Sequence, residues 1–157
     1  MRFVPPLLAT VAVASSGTST QLEFSRAFGG PYGTPFSDEE TAKKGYQIIS
    51  FSLNGKERLD GVTMSYTSQT SIHHGGHGGE EHTLDISMGV WYTNEHHGKT
   101  RVFYLKLTTN MNRSLEAGET SGYYGEEYAP YKYQLAGFRG NDGDEIDLLQ
   151  LIWAPLP

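Results

Sequence analysis

Apolar and polar residues alternate with a period of two along most of the chain after Phe24, the repeat expected of strands with one buried face. The alternation is clearest in residues 49–53, 62–67, 84–88, 103–108, 133–135 and 146–152. No stretch of ten residues has a convincing helical period, and the best helical candidate, residues 38–44, is short and ends before Gly45. The pattern therefore predicts an all-β domain with at most one turn of helix.

Turn-forming residues separate these segments at intervals of about 8 to 12 residues. The predicted turns lie at residues 54–55, 60–61, 97–98 and 141–143, where Asn, Asp or His is followed by Gly. This spacing predicts an antiparallel barrel, sandwich or prism, because antiparallel sheets can keep one face polar.

Composition and charge exclude several classes of function. The 157 residues fit one domain, and a formal net charge of −6 argues against nucleic acid as a partner, since phosphate binding needs a concentrated basic face. The chain has no cysteine, which excludes a disulfide framework, a thiol nucleophile and a cysteine metal site. The 19 glycines and 10 tyrosines are typical of a turn-rich β protein.

Residues 1–20 differ in composition from the rest of the chain. Arg2 gives a basic start, an uncharged apolar run follows, and Ala12 and Ala14 fit the small residues before a cleavage point. An apolar run of about 12 residues is too short to span a bilayer, which requires about 20. We predict a secretory signal peptide over residues 1–20, a single domain over residues 21–157, and an extracellular location without a membrane span.

Four glycine-containing or polar stretches, in a fixed order, resemble those of the jacalin-related lectin domain. They are GGPYG with FSD at residues 29–38, HGGHGG at 74–79, TTN at 108–110, and YQLAGFRG running into GDEID at 133–147. The resemblance covers nearly all of the predicted domain. It implies a β-prism I of three four-stranded antiparallel Greek-key sheets with pseudo-threefold symmetry, which holds a sugar at one end without a cofactor.

The resemblance also implies a GxxxD sugar-binding loop formed by Gly143, Asp144, Glu145 and Asp147. In this family the carboxylate in the place of Asp147 accepts hydrogen bonds from sugar hydroxyls, and the two intervening backbone amides donate to sugar oxygens. From the residues alone, the alternative is a hairpin turn in which Asp147 caps its own backbone.

Two further loops would complete the site in the family. The first glycine loop is shortened to Gly33, Thr34 and Pro35, and only the first two retain an amide that could donate to a sugar hydroxyl. The third loop falls around residues 94–98, where Asn94 and Glu95 are candidate specificity residues.

The residues of the GxxxD loop also bear on the ligand. Asp144 and Glu145 cannot stack on the apolar face of a sugar as aromatic residues can, which favours a mannose or glucose type of ligand over galactose.

Because one shallow site binds weakly, we expect self-association into a homo-oligomer to provide avidity. The alternative is a secreted protein-interaction or effector module that retains the prism and has lost sugar affinity. Asn112 lies in an N-glycosylation triplet, although such triplets are frequent by chance.

Two enzyme-like interpretations use the same polar residues. A metal cluster could draw on the histidines and carboxylates of residues 73–82, but the glycine-rich spacing favours a turn with exposed histidines. Adjacent acidic pairs such as Glu126 and Glu127 would suit a glycosidase only if they faced each other across a cleft, and neighbouring acids in turns are usually solvated. We therefore expect neither catalysis nor a bound metal.

Overall fold

In the computed structural model, which describes residues 21–85, 92–96, 101–120 and 125–157, strands dominate and one short helix is present. The predicted leader and the predicted turn at residues 97–98 lie outside these ranges. The elements are β1 Glu23–Phe24, β2 Phe28–Gly29, β3 Thr34–Ser37, α1 Glu39–Lys43, β4 Ile48–Gly55, β5 Leu59–Tyr66, β6 Ser71–Gly75, β7 Glu80–Asp85, β8 Tyr92–His96, β9 Arg101–Thr108, β10 Ser114–Gly118, β11 Tyr133–Asp142 and β12 Ile146–Pro155.

These strands form three antiparallel sheets, which confirms the all-β prism predicted from the sequence. The first sheet has the order β1-β12-β11-β3, with β2 also paired to β12; the second has the order β6-β5-β4-β7, and the third has the order β10-β9-β8. In the second sheet, β7 returns to lie beside β4 instead of β6, which is a Greek-key connection. Four strands are found in this sheet only; the other two have five and three within the described ranges.

The core lies between the three sheets and is built from the apolar positions of the alternating pattern. Phe51 and Leu53 of β4, Leu105 and Leu107 of β9, and Trp153 of β12 are all buried in one cluster. Burial of each such side chain contributes roughly 1.5 to 3 kcal/mol. In a chain without cysteine, this shared core holds the sheets together.

Ile49 departs from the predicted alternation and is 45% exposed. Ile48 pairs with Tyr66, whereas Ser50 pairs with Ser65, so that Ile49 is the extra residue of a β-bulge. The bulge removes Ile49 from the face that carries Phe51 and Leu53.

The turn predicted at Asp60 and Gly61 was wrong, because both residues lie within β5. The connection between β4 and β5 is residues 56–58. Glycine is needed at position 61 for a different reason, since a side chain there would collide with the backbone oxygen of Gly76. The predicted turn at residues 141–143 is shifted as well, because β11 continues to Asp142.

One end of the prism gathers several connections, and we call it the loop end. Here β4, β6 and β11 finish and β3, β5, β7 and β12 begin, as the pairings of Thr34 with Asp142, Gly55 with Glu80, and Gly61 with Gly75 show. Across the described ranges, no helix has the length and apolar character that crossing a membrane requires.

Candidate functional site at the loop end

Residues 143–145 connect β11 to β12, and the GxxxD loop, which runs on to Asp147 in β12, is fixed at both sides. The Gly143 amide donates a 3.0 Å hydrogen bond to the Glu145 carbonyl, which closes a tight turn. Ile146, the first residue of β12, is fully buried in the core. The loop is therefore held in place by the hairpin geometry on one side and by apolar burial on the other.

Asp147 is the second residue of β12 and is only 7% exposed. Its backbone oxygen accepts from the Gly30 amide at 2.8 Å, but within the described residues its carboxylate accepts no hydrogen bond. The alternative in which Asp147 caps its own backbone is therefore not observed in this part of the chain. The carboxylate oxygens of this mostly buried residue keep some contact with solvent, whereas Glu145 Oε2 is the described side-chain atom that is fully buried without a hydrogen bond.

Burial is also the main influence on the protonation of Asp147. It raises the pKa of this carboxyl above the ordinary value of 3.8. The positive charge of Arg101 opposes the rise, and the negative charge of Asp142 adds to it. The carboxylate is thus a strong acceptor in a poorly solvated position.

Gly33 of the first glycine loop lies directly against Asp147. A Cβ atom at position 33 would be 2.7 Å from the Asp147 Oδ2 atom and 2.7 Å from the Asp142 carbonyl oxygen, and the residue has φ of +83°. Thr34 begins β3 opposite Asp142 and is exposed. The structure therefore places Gly33 against Asp147, with Thr34 next to Gly33 in the chain, and a role of these residues in binding stays a prediction.

Glu145 is only 12% exposed at its side chain and contacts two arginines from the other sheets. One is Arg58 in the β4–β5 connection, where the contact is ionic without hydrogen-bond geometry, and the other is Arg101 at the start of β9. We call Glu145, Arg58 and Arg101 the arginine clamp. It joins the three sheets at the loop end, and sequence reasoning missed both arginines because no local pattern connects them to Glu145.

Asp144 is the exposed residue of the loop. Its backbone packs against Gly76 of the HGGHGG segment so closely that a side chain at position 76 would collide with the Asp144 carbonyl. Its carboxylate makes no hydrogen bond or ion pair with any described residue. Of the two charged variable positions, only Asp144 therefore presents its charge to solvent.

The histidine segment corrects the prediction of an exposed turn, because His74 is buried. Its Nε2 atom lies 2.9 Å from the Asp38 Oδ1 atom, and its ring stacks on Phe36 with a centroid distance of 3.8 Å. The Phe138 amide donates to Asp38 Oδ2 at 2.9 Å, and the Gly75 amide donates to Asp142 Oδ2 at 2.8 Å. This Asp38–His74 cluster connects β6, β11 and the segment after β3.

The neighbouring histidines are arranged differently from ligands of a metal. His73 stacks on exposed His77 with a centroid distance of 4.0 Å, and its pKa is lowered by burial and by the charge of His77. Among the described residues, no three His, Asp or Glu side chains are close enough to share a metal ion.

Asn94 and Glu95 lie in β8 and not in a loop. Asn94 pairs with Tyr104, and Glu95 is at a register shift before His96 pairs with Arg101. Their strand position brings the backbone towards the end of β9 that carries Arg101, whereas their side chains lie outside the described part of the structure. A role in binding therefore stays a prediction.

A separate groove of about 650 Å³ runs along β7 and β10. It is lined by Glu80 and His82 of β7, Lys106 of β9 and Glu116 of β10, among others, and by none of residues 142–147. The candidate site at Asp147 is accordingly a shallow surface of loops and not this groove.

Comparisons with known proteins agree with this architecture. The profile of the jacalin-like lectin domain matches residues 25–152. A mannose binding jacalin related lectin from Ananas comosus has a similar fold, with a TM-score of 0.69 at 16% identity over 85% of this chain and 98% of that one. The mannose binding lectin from Champedak has a TM-score of 0.71 at 19% identity over 87% of this chain and 99% of that one.

A relative of a different description also matches. It is the secreted RxLR effector protein 19 of Plasmopara viticola, which is 29% identical, with 82% of this chain and 79% of the relative covered. Jacalin-like lectins bind carbohydrate without catalysis, so the chain is a binding module and not an enzyme. With the family profile spanning most of its length, the chain belongs to the jacalin-like lectin domain family.

Proposed function

We propose that the protein is a secreted lectin that binds a mannose or glucose type of saccharide at the loop end of the prism. The observation that carries this proposal is Asp147, a buried carboxylate without a hydrogen-bond partner among the described residues, lying against Gly33. Sugar hydroxyls would supply the missing donors. Charge-assisted hydrogen bonds of this kind are stronger than neutral ones.

The other site residues take supporting roles in the proposal. The amides of Asp144 and Glu145 donate to sugar oxygens, while Gly33 and Thr34 form the facing wall beside Asp147. Gly143 begins the turn at a position where a side chain would meet no atom within 4 Å, and Asn94 and Glu95 contribute from β8. The solved relatives described as mannose binding support the ligand class. The leader of residues 1–20 and the relative named as secreted support export.

Glycan-array binding followed by calorimetry tests the proposal. Asp147→Asn keeps the shape of the side chain and removes its charge, so we expect affinity to fall about tenfold or more, because a hydrogen bond to a charged group contributes roughly 1.5 to 3 kcal/mol. Glu40→Gln is the matched control, since it removes an exposed carboxylate on α1, away from the loop end. Binding by neither protein to any glycan, or equal binding by wild type and Asp147→Asn, would contradict the proposal.

A second candidate is a secreted effector module that binds a protein, and the effector relative favours it. It predicts a protein partner that stays bound in excess free mannose and is retained by Asp147→Asn. Displacement of the partner by mannose would instead show that the partner is a glycoprotein recognised through the sugar site.

A further inference from the structure

The charged groups at the loop end are unequally paired. Arg58 and Arg101, the cations that contact the Gly143–Asp147 loop, are both engaged by Glu145 in the arginine clamp. Arg58 also pairs with Asp60 at 3.2 Å. The exposed Lys56 lines a separate depression of about 180 Å³ with Glu57, Arg58, Asp60 and Gly79. Among the described residues, Glu145 and Asp60 thus balance these two guanidinium charges, and the charge of Arg101 still acts on Asp147.

The carboxylates around the loop are not neutralised to the same degree. Asp142 accepts from the Gly75 amide, but Asp144 and Asp147 have no hydrogen-bond or ion-pair partner within the described residues. Asp144 is exposed and Asp147 is nearly buried, with only two residues between them. The rim that a ligand would meet therefore carries negative charge at both positions that no described residue pairs with.

A neutral sugar makes use of only part of this arrangement. Its hydroxyls can donate to Asp147, but the exposed charge of Asp144 gains nothing from a neutral ring beyond what water already provides. A protonated amine on the sugar would interact favourably with both carboxylates, and each exposed pair of opposite charges typically raises affinity about 1.5- to 5-fold.

We propose that the loop end prefers a saccharide with a free, protonated amino group over the neutral saccharide of the same ring and linkage. This inference rests on the proposed lectin function. Asp147 accepts from ring hydroxyls, and Asp144 supplies the attraction to the amine. Glu145 and Asp60 together balance the two guanidinium charges, which limits their repulsion of that amine.

A lysine side chain carries the same ammonium group, and the structure favours the amino sugar. The unpaired Asp147 carboxylate is recessed against Gly33 and requires donors of its own beside the amine that Asp144 attracts. Adjacent hydroxyl and amino groups on one sugar ring meet both needs, whereas a lysine meets only one. A lysine-containing peptide is accordingly the competing ligand in the test.

Calorimetry with a glucosamine tetramer, its N-acetylated form and a glucose tetramer of the same linkage tests the inference. At low ionic strength we expect the free-amine tetramer to bind about fivefold tighter than either neutral tetramer. Asp144→Asn should reduce this preference, measured as the ratio of the affinities for the free-amine and neutral tetramers, about threefold. High salt should weaken the preference in wild type, since exposed charges are screened. Glu40→Gln should change neither quantity.

The outcomes separate this inference from the lectin proposal. Equal affinity for free-amine and neutral tetramers would overturn the amine preference and leave the lectin function standing. Binding of no saccharide would overturn both. If a lysine-rich peptide binds as tightly as the glucosamine tetramer, and Asp147→Asn binds both like wild type, the amine preference is a general attraction to cations and the inference is overturned.

Discussion

Asp38 and Asp147 are buried to a similar extent in or beside the same sheet, yet their carboxylates are used in opposite ways. Asp38 is 3% exposed, accepts from the Phe138 amide and lies 2.9 Å from the His74 ring. Asp147 is 7% exposed, and its carboxylate has no such partner within the described ranges. Burial alone therefore does not decide how an aspartate is used: the fold occupies the carboxylate of Asp38, and it leaves that of Asp147 for the proposed ligand.

The largest effect on stability should come from removing the Asp38 carboxylate. Asp38→Ala leaves the Phe138 amide and the His74 ring without their partner in a buried region, and we expect a loss of about 3 kcal/mol in the free energy of unfolding. Urea denaturation monitored by circular dichroism measures this loss. A loss below about 1 kcal/mol would show that the Asp38–His74 cluster does not stabilise the fold in the way its contacts indicate.

An intermediate effect on stability should follow from adding a side chain at Gly33, which lies against Asp147. Gly33 and Gly45 have similar positive φ values of +83° and +74°, but an added Cβ meets Asp142 and Asp147 only at position 33 and meets nothing within 4 Å at position 45. Both alanine substitutions should lose roughly 1 kcal/mol to backbone strain. Gly33→Ala should lose about 1 kcal/mol more and also weaken saccharide binding.

The control in this pair is Gly45→Ala, which should bind saccharide like wild type. Equal losses of stability in the two variants, measured by urea denaturation, would mean that Gly33 is required only for its backbone angle. Its close approach to Asp147 would then have no energetic consequence.

The smallest effect, and the one of opposite sign, is expected at Asp147. Because its pKa is raised by burial, the ionised form destabilises the folded state, and Asp147→Asn should stabilise the protein by something on the order of 1 kcal/mol at neutral pH. The same substitution should weaken ligand binding. Opposite signs for stability and affinity would mark Asp147 as a residue retained for its ligand.

The gain in stability of Asp147→Asn over wild type should also depend on pH in a defined direction. The raised pKa means that the folded state binds the proton more readily than the unfolded state does, so the destabilisation is complete above the folded-state pKa. It disappears as the pH falls through that value towards 3.8, and the stabilities of wild type and Asp147→Asn should converge there. Denaturation curves at neutral and acidic pH measure the difference, and a gap that widens in acid would contradict the assignment.

The fold could be predicted because the alternation of apolar and polar residues within each strand is enough to identify its buried face. Phe51 and Leu53, or Val62 and Met64, need no knowledge of their neighbours to be recognised as core residues. Ile49 could not be assigned in this way, since its exposure depends on the register between β4 and β5. The short helix was found within one residue of its predicted limits because Gly45 ends it with a positive φ.

The candidate site was also predictable only in part from the sequence. The GxxxD loop was identified through its resemblance to a family, and the structure brings Gly33 against it. The burial of His74 and the arginine clamp could not be predicted, because both depend on partners far apart in the chain. Asp144 and Glu145 are neighbouring acidic residues in the sequence, and they differ in their contacts only because the three sheets meet at Glu145.

The arginine clamp has a consequence for how this protein could change its specificity. Between Gly143 and Asp147, Ile146 belongs to the core and Glu145 links the three sheets, so neither can be exchanged freely. Asp144 is the one side chain of these three that is open to substitution without disturbing the packing. A mutant library aimed at new ligands therefore needs to randomise a single codon in this loop, and natural variants could acquire a new preference by one change at the same position.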